Sequence, residues 1–486
     1  MAHEMQLREI LDGVTETDAS IAITGIELDS REVKPGDLFV AVRGQETDGR
    51  EYVRQAADRG AVAALVEDEV MDTSVTLPQF PVPQLRLLVS ELAGRFYSHP
   101  SRSVAAVAVT GTNGKTTFVN LLAQLLRAAG HKCGVIGTLG TSLDGSVSDA
   151  ANTTPDAVTL QRKIASWQRE GVRFIAMEAS SHALDQGRLA AVDIDIAVFT
   201  NLTRDHLDYH GDMRRYASAK TSLFQFPSLR TAILNADDPQ VSLFEEVLGS
   251  DVQCLRYGRH AQNLDVRISE LVSSIDGLCF SLLSPWGNAE IRCPLLGEFN
   301  ALNLTAALTA GLQAGQPLED LAKAAETLKP APGRMEPLRA AGAPLVVIDY
   351  AHTPDALMQV LAALREQCDG ELVAVFGCGG DRDRGKRSLM GEAVSRLASR
   401  AIITSDNPRN EDPLHIIRDI ETGMSCPYEI VEDRGAAIEK AIRQARADAC
   451  VLIAGKGHED YQIVGTERRF FSDRDSADQV LAGLAA

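Results

Sequence analysis

The stretch SVAAVAVTGTNGKTTFVNLLAQLL, residues 103–126, decides the fold of this 486-residue chain. Its opening run to Val109 is apolar, β-branched or small, and too short for a helix that must bury a face, so it predicts an interior strand. The closing run carries Leu121, Leu122, Leu125 and Leu126 at helical spacing, and Gly130 supplies a C-terminal stop. Between them lies Thr110-Gly111-Thr112-Asn113-Gly114-Lys115-Thr116-Thr117. Strand, glycine loop and helix in that order make a phosphate cradle. The glycines let backbone N–H groups turn toward an anion, and the helix N-terminus adds its dipole. Lys115 neutralises β/γ charge, and the Thr116 hydroxyl can ligate Mg²⁺. Residues 111–117 are therefore the candidate ATP contacts, namely Gly111, Thr112, Asn113, Gly114, Lys115, Thr116 and Thr117. In the general pattern GxxxxGK[ST] the first glycine would fall at position 109, which is Val109, so the loop is a departure from that pattern.

Working outward, strand-like segments alternate with helix-like ones, which predicts parallel sheets with crossover helices. The clearest strands are Val104 to Val109, Phe174 to Met177, Ile194 to Phe199, Leu345 to Ile348, Leu372 to Phe376, Ala401 to Thr404 and Cys450 to Ala454. Several run straight into polar motifs, and in open parallel sheets ligands bind beyond the carboxyl ends of strands. The length suggests about three domains. Boundaries are expected near Ser98-His99-Pro100-Ser101 and near Pro330-Ala331-Pro332-Gly333-Arg334, dividing the chain into 1–100, 101–335 and 336–486. No internal repeat, heptad or low-complexity tract is apparent.

With 45% apolar, 24% charged and 5% aromatic residues, the composition is that of a soluble globular α/β protein. The N-terminal MAHEMQLREILDGV has the spacing of a short amphipathic helix and carries acidic charge, unlike a signal peptide. Apolar runs such as Ala105 to Val109 fall far short of the ~20 residues a spanning helix needs. Eight cysteines without a CxxC pair suit reduced thiols in cytoplasm, with no metal or disulfide assigned to them. A formal net charge of -19 would repel nucleic acid, so phosphate binding must rely on local devices.

The loop GTNGKTT resembles the short phosphate loop of the Mur ligases and their folylpolyglutamate synthetase relatives. Resemblances to that family follow in order along nearly the whole chain: Asp29-Ser30-Arg31, Asn152-Thr153-Thr154-Pro155, Met177-Glu178-Ala179-Ser180-Ser181-His182, Asn201-Leu202-Thr203-Arg204-Asp205-His206-Leu207-Asp208, Gly297-Glu298-Phe299-Asn300 and Asp349-Tyr350-Ala351-His352-Thr353-Pro354. The last third adds Gly379-Gly380-Asp381-Arg382, Asp406-Asn407-Pro408-Arg409 and Gly455-Lys456-Gly457-His458-Glu459. The resemblance implies three α/β domains: one for the nucleotide-linked substrate, a central parallel-sheet P-loop ATPase domain, and a C-terminal Rossmann-like domain for the amino acid. It implies an ATP-dependent, ADP-forming ligase of peptidoglycan synthesis, working through an acyl phosphate in the cytoplasm. The partners it implies are small molecules, with no nucleic acid or membrane, and the chain is expected to be a monomer. Activation by ATP is physically required, because a carboxylate oxygen must become a leaving group. The approach of two anions then demands cations and helix N-termini.

By resemblance, Thr116, Glu178, His206 and a carbamylated Lys220 are the Mg²⁺ site, and Lys115 belongs with them in catalysis. Read without the family, Glu178 is equally a solvated strand end, His206 a turn hydrogen bond and Lys220 a solvated helix lysine. The cluster Asp205, His206, Asp208 and His210 lacks the HExxH arrangement of a zinc site, and hard Mg²⁺ prefers oxygen. Asn300, Arg334 and Asp349 look like further ATP-site residues; locally they also read as a cap and a surface ion pair. Leu28 and Ser30 resemble contacts to a uridine nucleotide, although Ser30 also reads as a turn former before Lys34-Pro35-Gly36-Asp37. Asn152, Thr153, Thr154, Ser180, Gln186 and Arg188 resemble contacts to a muramyl dipeptide. In the C-terminal third, Asp406, Asn407, Pro408 and Arg409 resemble the family form that selects meso-diaminopimelate. Arg409 would pair its distal carboxylate, while Arg382, Gly455 and Glu459 hold the distal amino-acid head. In an unrelated chain the same DNPR would be an Asp/Asn-Pro turn. The resulting expectation is condensation of UDP-N-acetylmuramoyl-L-alanyl-D-glutamate with meso-diaminopimelate. Lysine addition, folate polyglutamylation and a non-ligating nucleotide switch are the alternatives.

Overall fold

The structure, a computed structural model, describes residues 4–15, 19–44, 47–68, 74–143, 145–148 and 152–485. Among the described residues three large sheets follow one another along the chain, with two-stranded pairs at Met5–Gln6 with Ala22–Ile23 and at Tyr461–Val464 with Glu467–Phe470. The first is four-stranded and wholly parallel, in the spatial order Gly25–Glu27, Asp37–Ala41, Ala63–Glu67, Gln79–Val82. Apolar clusters cover both its faces, which explains why Asp37–Ala41 is buried at every position instead of alternating. The expected N-terminal amphipathic helix is reduced to Leu7–Ile10 behind a two-residue strand Met5–Gln6, and residues 1–3 lie outside the described residues.

The central sheet has eleven strands, of which Cys133–Gly137, Phe174–Glu178, Ala105–Thr110, Ile196–Phe199, Thr231–Asn235 and Gln253–Gly258 run parallel in that spatial order. The expected parallel central sheet is extended by antiparallel pairs at both flanks. Gly140–Leu143 and Ser146–Ser148 fold back antiparallel on one side. On the other, Val266–Ser274, Gly277–Ser284 and Gly287–Cys293 form an antiparallel meander. The two meander links are only two residues long, too short for a crossover, so the chain must reverse direction. The alternating burial of Val266–Ser274 and Gly277–Ser284 shows one covered and one wet face.

The C-terminal sheet orders its strands as Glu336–Leu338, Leu345–Asp349, Cys450–Ala454, Leu372–Phe376, Arg400–Ile403, Tyr428–Ile430. All are parallel except the first, an antiparallel edge. Helix Lys115–Ala128 packs on the central sheet and on helix Glu298–Gln313, with Phe118, Leu121, Leu122, Leu125 and Leu126 fully buried. At about 1.5–3 kcal/mol for each large apolar side chain, this packing fixes the cradle's position before any ligand arrives. Among the described residues no helix is long and apolar enough to cross a membrane.

Candidate active site

The phosphate loop sits at the carboxyl end of Ala105–Thr110, in the middle of the parallel strands. Its shape is held from the neighbouring strand end. The backbone N–H of Asn113 donates to Asn201 Oδ1 at 2.9 Å, and the Thr200 hydroxyl donates to the Asn113 carbonyl at 2.6 Å. Gly114 has φ +88°, and a Cβ there would lie 2.4 Å from Asn303 Oδ1. Only glycine fits both the angle and the space. Thr116 is buried, and Arg334 Nη2 reaches its hydroxyl at 3.3 Å while its guanidinium lies 4.4 Å from the centre of the Tyr350 ring.

Two lysines converge beside the loop. Lys115 Nζ donates to the carbonyls of Gly111 and Thr112 at 2.7 and 2.8 Å, and Lys220 Nζ donates to the same Gly111 carbonyl at 2.7 Å. Lys220, on helix Met213–Thr221, is 1% exposed. Burial, then the charge of Lys115, hold its ammonium well below the ordinary lysine range. Burial also lowers Lys115, offset by Glu178 and Asp205. Glu178 ends the strand Phe174–Glu178, fully buried, and accepts from the Thr138 N–H at 2.8 Å and the Thr138 hydroxyl at 3.1 Å. His206, at φ +53°, faces Asp205 with Nε2 to Oδ2 at 3.4 Å. Desolvation by the surrounding protein, with His182 and the two lysines adding to it, pushes its imidazole down to about 4. His206 is therefore a neutral ligand-type imidazole at neutral pH.

The remaining candidates divide into three groups. Asn300, Arg334 and Asp349 line one cavity of about 410 Å³ between the central and C-terminal sheets, alongside Asn113, Gly114 and Thr117 of the loop. Asp349 is not a free acceptor there, since its two oxygens take the N–H groups of Ala351 and Met335, each at 2.7 Å. Burial raises its carboxyl, and Arg334 offsets part of that. Asn300 likewise spends its amide nitrogen on the Leu296 carbonyl and its oxygen on Asn303. A second group gathers around Glu178. The Thr154 hydroxyl donates to the Glu178 carbonyl at 2.7 Å, and Thr153 Oγ1 accepts from the hydroxyl of Thr138. Ser180 caps helix Ser181–Asp185 next to Thr154, while Arg188 donates to the Thr154 carbonyl and twice to Gln186 Oε1. Asn152 is exposed at the head of this segment. Ser30, whose hydroxyl donates to Gln55 at 2.7 Å, and Leu28 lie on the N-terminal domain; Leu28 packs in the same apolar cluster as Ala157 and Val158 just beyond the 152–154 segment.

The third group is in the C-terminal domain. Arg409 has φ +51° and donates Nη1 to the Gly380 carbonyl at 2.8 Å, while Asp406, Asn407 and Pro408 are buried beside it. Asn407 Nδ2 donates to Glu459 Oε2 at 2.9 Å. A Cβ on Gly455 would lie 2.6 Å from Asp406 Oδ2, so the two segments touch at that glycine. Arg382 is exposed on the rim, with its stem near Gly379, which Arg409 also approaches. Asn113 Nδ2 of the loop reaches Asp355 of this domain at 3.4 Å, and Arg204, in the segment after Ile196–Phe199, reaches Asp383 at 3.2 Å.

Reading the sequence missed several contributors. Asn303 was signalled by lying one helical turn beyond Asn300. Asn201 and Asp355 sit in or beside motifs already singled out, but their work is to hold the loop, which needs partners distant in sequence. Asn235, Asp237 and Arg259 line the cavity without any local pattern.

Known proteins share this arrangement. Three family models match in order: Mur ligase family, catalytic domain, over residues 22–97; Mur ligase middle domain over 109–311; and Mur ligase, glutamate ligase domain, over 333–457. A protein of Pseudomonas putida named UDP-N-acetylmuramoyl-L-alanyl-D-glutamate--2,6-diaminopimelate ligase is 45% identical over 96% of this chain and 96% of its own. The chain belongs to the Mur ligase family. A second relative of that name, from Ectopseudomonas mendocina, is 44% identical with 99% of each chain covered. A solved structure of a ligase of the same name is 39% identical, superposes with a TM-score of 0.73 and covers 99% of each chain. As a Mur ligase the chain has the family's three-domain architecture, and residues 111–117 fall at the start of the stretch matched as the Mur ligase middle domain.

Proposed function

We propose that this chain condenses UDP-N-acetylmuramoyl-L-alanyl-D-glutamate with meso-diaminopimelate, giving the tripeptide, ADP and phosphate. The single observation that carries the reading is the placing of two recognition groups against one phosphate loop. On one side Thr154 donates to the Glu178 carbonyl, Ser180 and Arg188 are linked to Thr154, Gln186 to Arg188, and Thr153 meets the Thr138 hydroxyl that also bonds Glu178. On the other, Arg409 and the pair Asn407–Glu459 occupy a domain tied to the loop through Asp355 and to the central domain's Arg204 through Asp383. The domains would divide near residues 100 and 335, since the central sheet's strand Ala105–Thr110 and the third sheet's strand Glu336–Leu338 begin just after.

In the reaction a substrate carboxylate oxygen bonds to the γ-phosphorus and ADP leaves. The amine then bonds to the acyl carbon, phosphate leaves and the amine proton is lost. Residues 111–117 would hold the phosphates, with Lys115 and Arg334 offsetting charge that the approaching carboxylate would otherwise feel. Asn300 and Asp349 would shape the adenosine end, Asp349 chiefly by fixing the Met335 and Ala351 backbone. Ser30 and Leu28 would meet the uridine nucleotide. Asn152 would join the muramyl contacts, and Arg382, Gly455 and Glu459 would hold the distal amino-acid head.

Mg²⁺ fits the residues present. Among the described residues no three of His, Cys, Asp and Glu gather as a metal site, so a cation would draw on Glu178, the neutral His206 and the Thr116 hydroxyl with oxygens from elsewhere. Lys220 could supply such oxygens as a carbamate, because burial holds its ammonium well below the ordinary lysine range and so favours the uncharged amine that adds CO₂. The cation would neutralise phosphate charge during transfer. We place the enzyme in the cytoplasm as a monomer acting on small molecules, without nucleic acid or membrane partners, in keeping with its ATP use and the net charge of -19. The deciding experiment offers diaminopimelate and lysine in competition and weighs the product by mass spectrometry. Diaminopimelate amide, with phosphate release requiring both substrates, is expected. A lysine product overturns the substrate assignment, and phosphate release without amide makes the chain a nucleotide switch.

A further inference from the structure

Lys456 is 0% exposed, and no step above uses it. It follows Gly455 at the carboxyl end of strand Cys450–Ala454, under the proposed amino-acid pocket. Its Nζ donates to Asn407 Oδ1 at 3.1 Å and Glu459 Oε2 at 3.2 Å, and lies 5.4 Å from the centre of the Tyr461 ring. An ammonium has donors only, so it dictates how its neighbours turn. Asn407 must present its oxygen to Lys456, and the Ile463 N–H, donating to that same oxygen at 3.0 Å, agrees. The Asn407 NH₂ is thereby aimed at Glu459 Oε2, 2.9 Å away. Glu459 Oε1 in turn accepts from the Tyr350 hydroxyl at 3.2 Å. Other charged groups that act on this cluster are Asp406, Arg334, Arg409, Arg468, Asp460 and the buried Arg434, which Asp473 already pairs. Lys456 is thus the cation in direct contact with Glu459, and its hydrogen bond fixes where Oε2 sits. Removing it would leave that carboxylate with neutral donors alone.

Resting on the diaminopimelate reading, we propose that Lys456 is a positioning residue that makes the pocket demand an ammonium on the distal carbon of the incoming amino acid. It does so by holding Glu459 Oε2 and Asn407 Oδ1 each in one place through its own hydrogen bonds. Arg409 would read the distal carboxylate, and Glu459, held by Lys456 and Asn407, would accept from the distal amine. The ligand class is an amino acid with a second, complete amino-acid head, rather than any long dicarboxylic one.

The test compares kcat/KM for meso-diaminopimelate with that for 2-aminopimelate, which keeps the distal carboxylate and lacks the distal amine. Wild type, Lys456→Met and Lys456→Arg are measured at saturating ATP and muramyl dipeptide. The wild type should prefer diaminopimelate by about 100-fold, the scale of an unpaired buried charge. Lys456→Met should shrink that preference to about 5-fold or less through a higher KM for diaminopimelate, with the KM for ATP unmoved; Lys456→Arg, which keeps the charge, should retain most of it. A purely structural lysine would lower both substrates alike. An unchanged ratio in folded Lys456→Met therefore overturns the inference while the diaminopimelate reading stands. If Lys456→Met does not fold, loss of the preference in folded Lys456→Arg overturns it instead. Wild type that makes no amide from diaminopimelate overturns the reading and the inference together.

Discussion

Arg409→Ala separates substrate choice from fold more cleanly than any other change. The arginine already occupies φ +51°, so the left-handed conformation costs the wild type and the alanine variant about the same 1–2 kcal/mol. Its backbone contacts, N–H to the Ile463 carbonyl at 3.1 Å and carbonyl to the Gly465 N–H at 2.7 Å, survive truncation. Of five guanidinium donors, Nη1 is engaged by the Gly380 carbonyl, leaving the rest of the fork for a carboxylate. Two charge-assisted hydrogen bonds at about 1.5–3 kcal/mol each, discounted because the arginine is only half-buried, come to about 3 kcal/mol. At about 1.4 kcal/mol per decade this predicts a fall of about 10²-fold in kcat/KM for diaminopimelate. Lysine has hydrogen where diaminopimelate has that carboxylate, so its already low value should change by less than about 3-fold. Arg409→Lys, which keeps the charge and loses the fork, should fall between wild type and Arg409→Ala. The assay is initial-rate phosphate release with the product checked by mass. An equal fractional loss for both amino acids, or a wild type that uses them equally, refutes Arg409 as the selector.

Lys115→Ala should lose at least about 10³-fold in turnover, because it removes phosphate-neutralising charge, while its thermal midpoint stays within a few degrees; near-normal turnover would remove the loop from the mechanism. Lys220→Ala should be inactive and partly restored by a small carboxylate such as formate, and ¹³CO₂-treated wild type should show a carbamate carbon by NMR that the variant lacks. A free ammonium in active, ATP-bound enzyme would refute the carbamate. Asp473→Asn should cost about 3–5 kcal/mol in urea denaturation, since Arg434 and Asp473 are both 0% exposed and paired at 2.7 Å; a loss under about 1 kcal/mol would show that the buried guanidinium finds other acceptors. Glu411 is held down to about 2, chiefly by hydrogen bonding to Arg387. Because its folded value lies below the ordinary 4.5, its stabilisation is complete above about pH 4.5 and is lost as pH falls toward 2. Glu411→Gln should therefore be less stable than wild type at pH 7, with the gap closing on acidification; a gap constant from pH 7 to 3 would contradict this.

The sequence by itself determined the strand, loop and helix of residues 103–126, because the pattern that marks a phosphate cradle is local: glycines, a following lysine and one apolar helix face. It determined the central strands of both large sheets for the same reason, since an interior strand is a short continuous apolar run whatever its partners. The meander of residues 266–293 escaped it, because half-wet strands joined by two-residue turns carry only a weak alternating pattern. The motifs around Glu178, His206 and Arg409 were visible as family likenesses, yet nothing local distinguished them from caps and turns. Only the tertiary structure decided that Lys220 lies buried against the Gly111 carbonyl, 109 positions away, and that Lys456 lies under Asn407 and Glu459. Burial and a neighbouring charge set a lysine's protonation and reach, and both are properties of chain segments brought together by packing. A lysine's letter in the sequence carries neither.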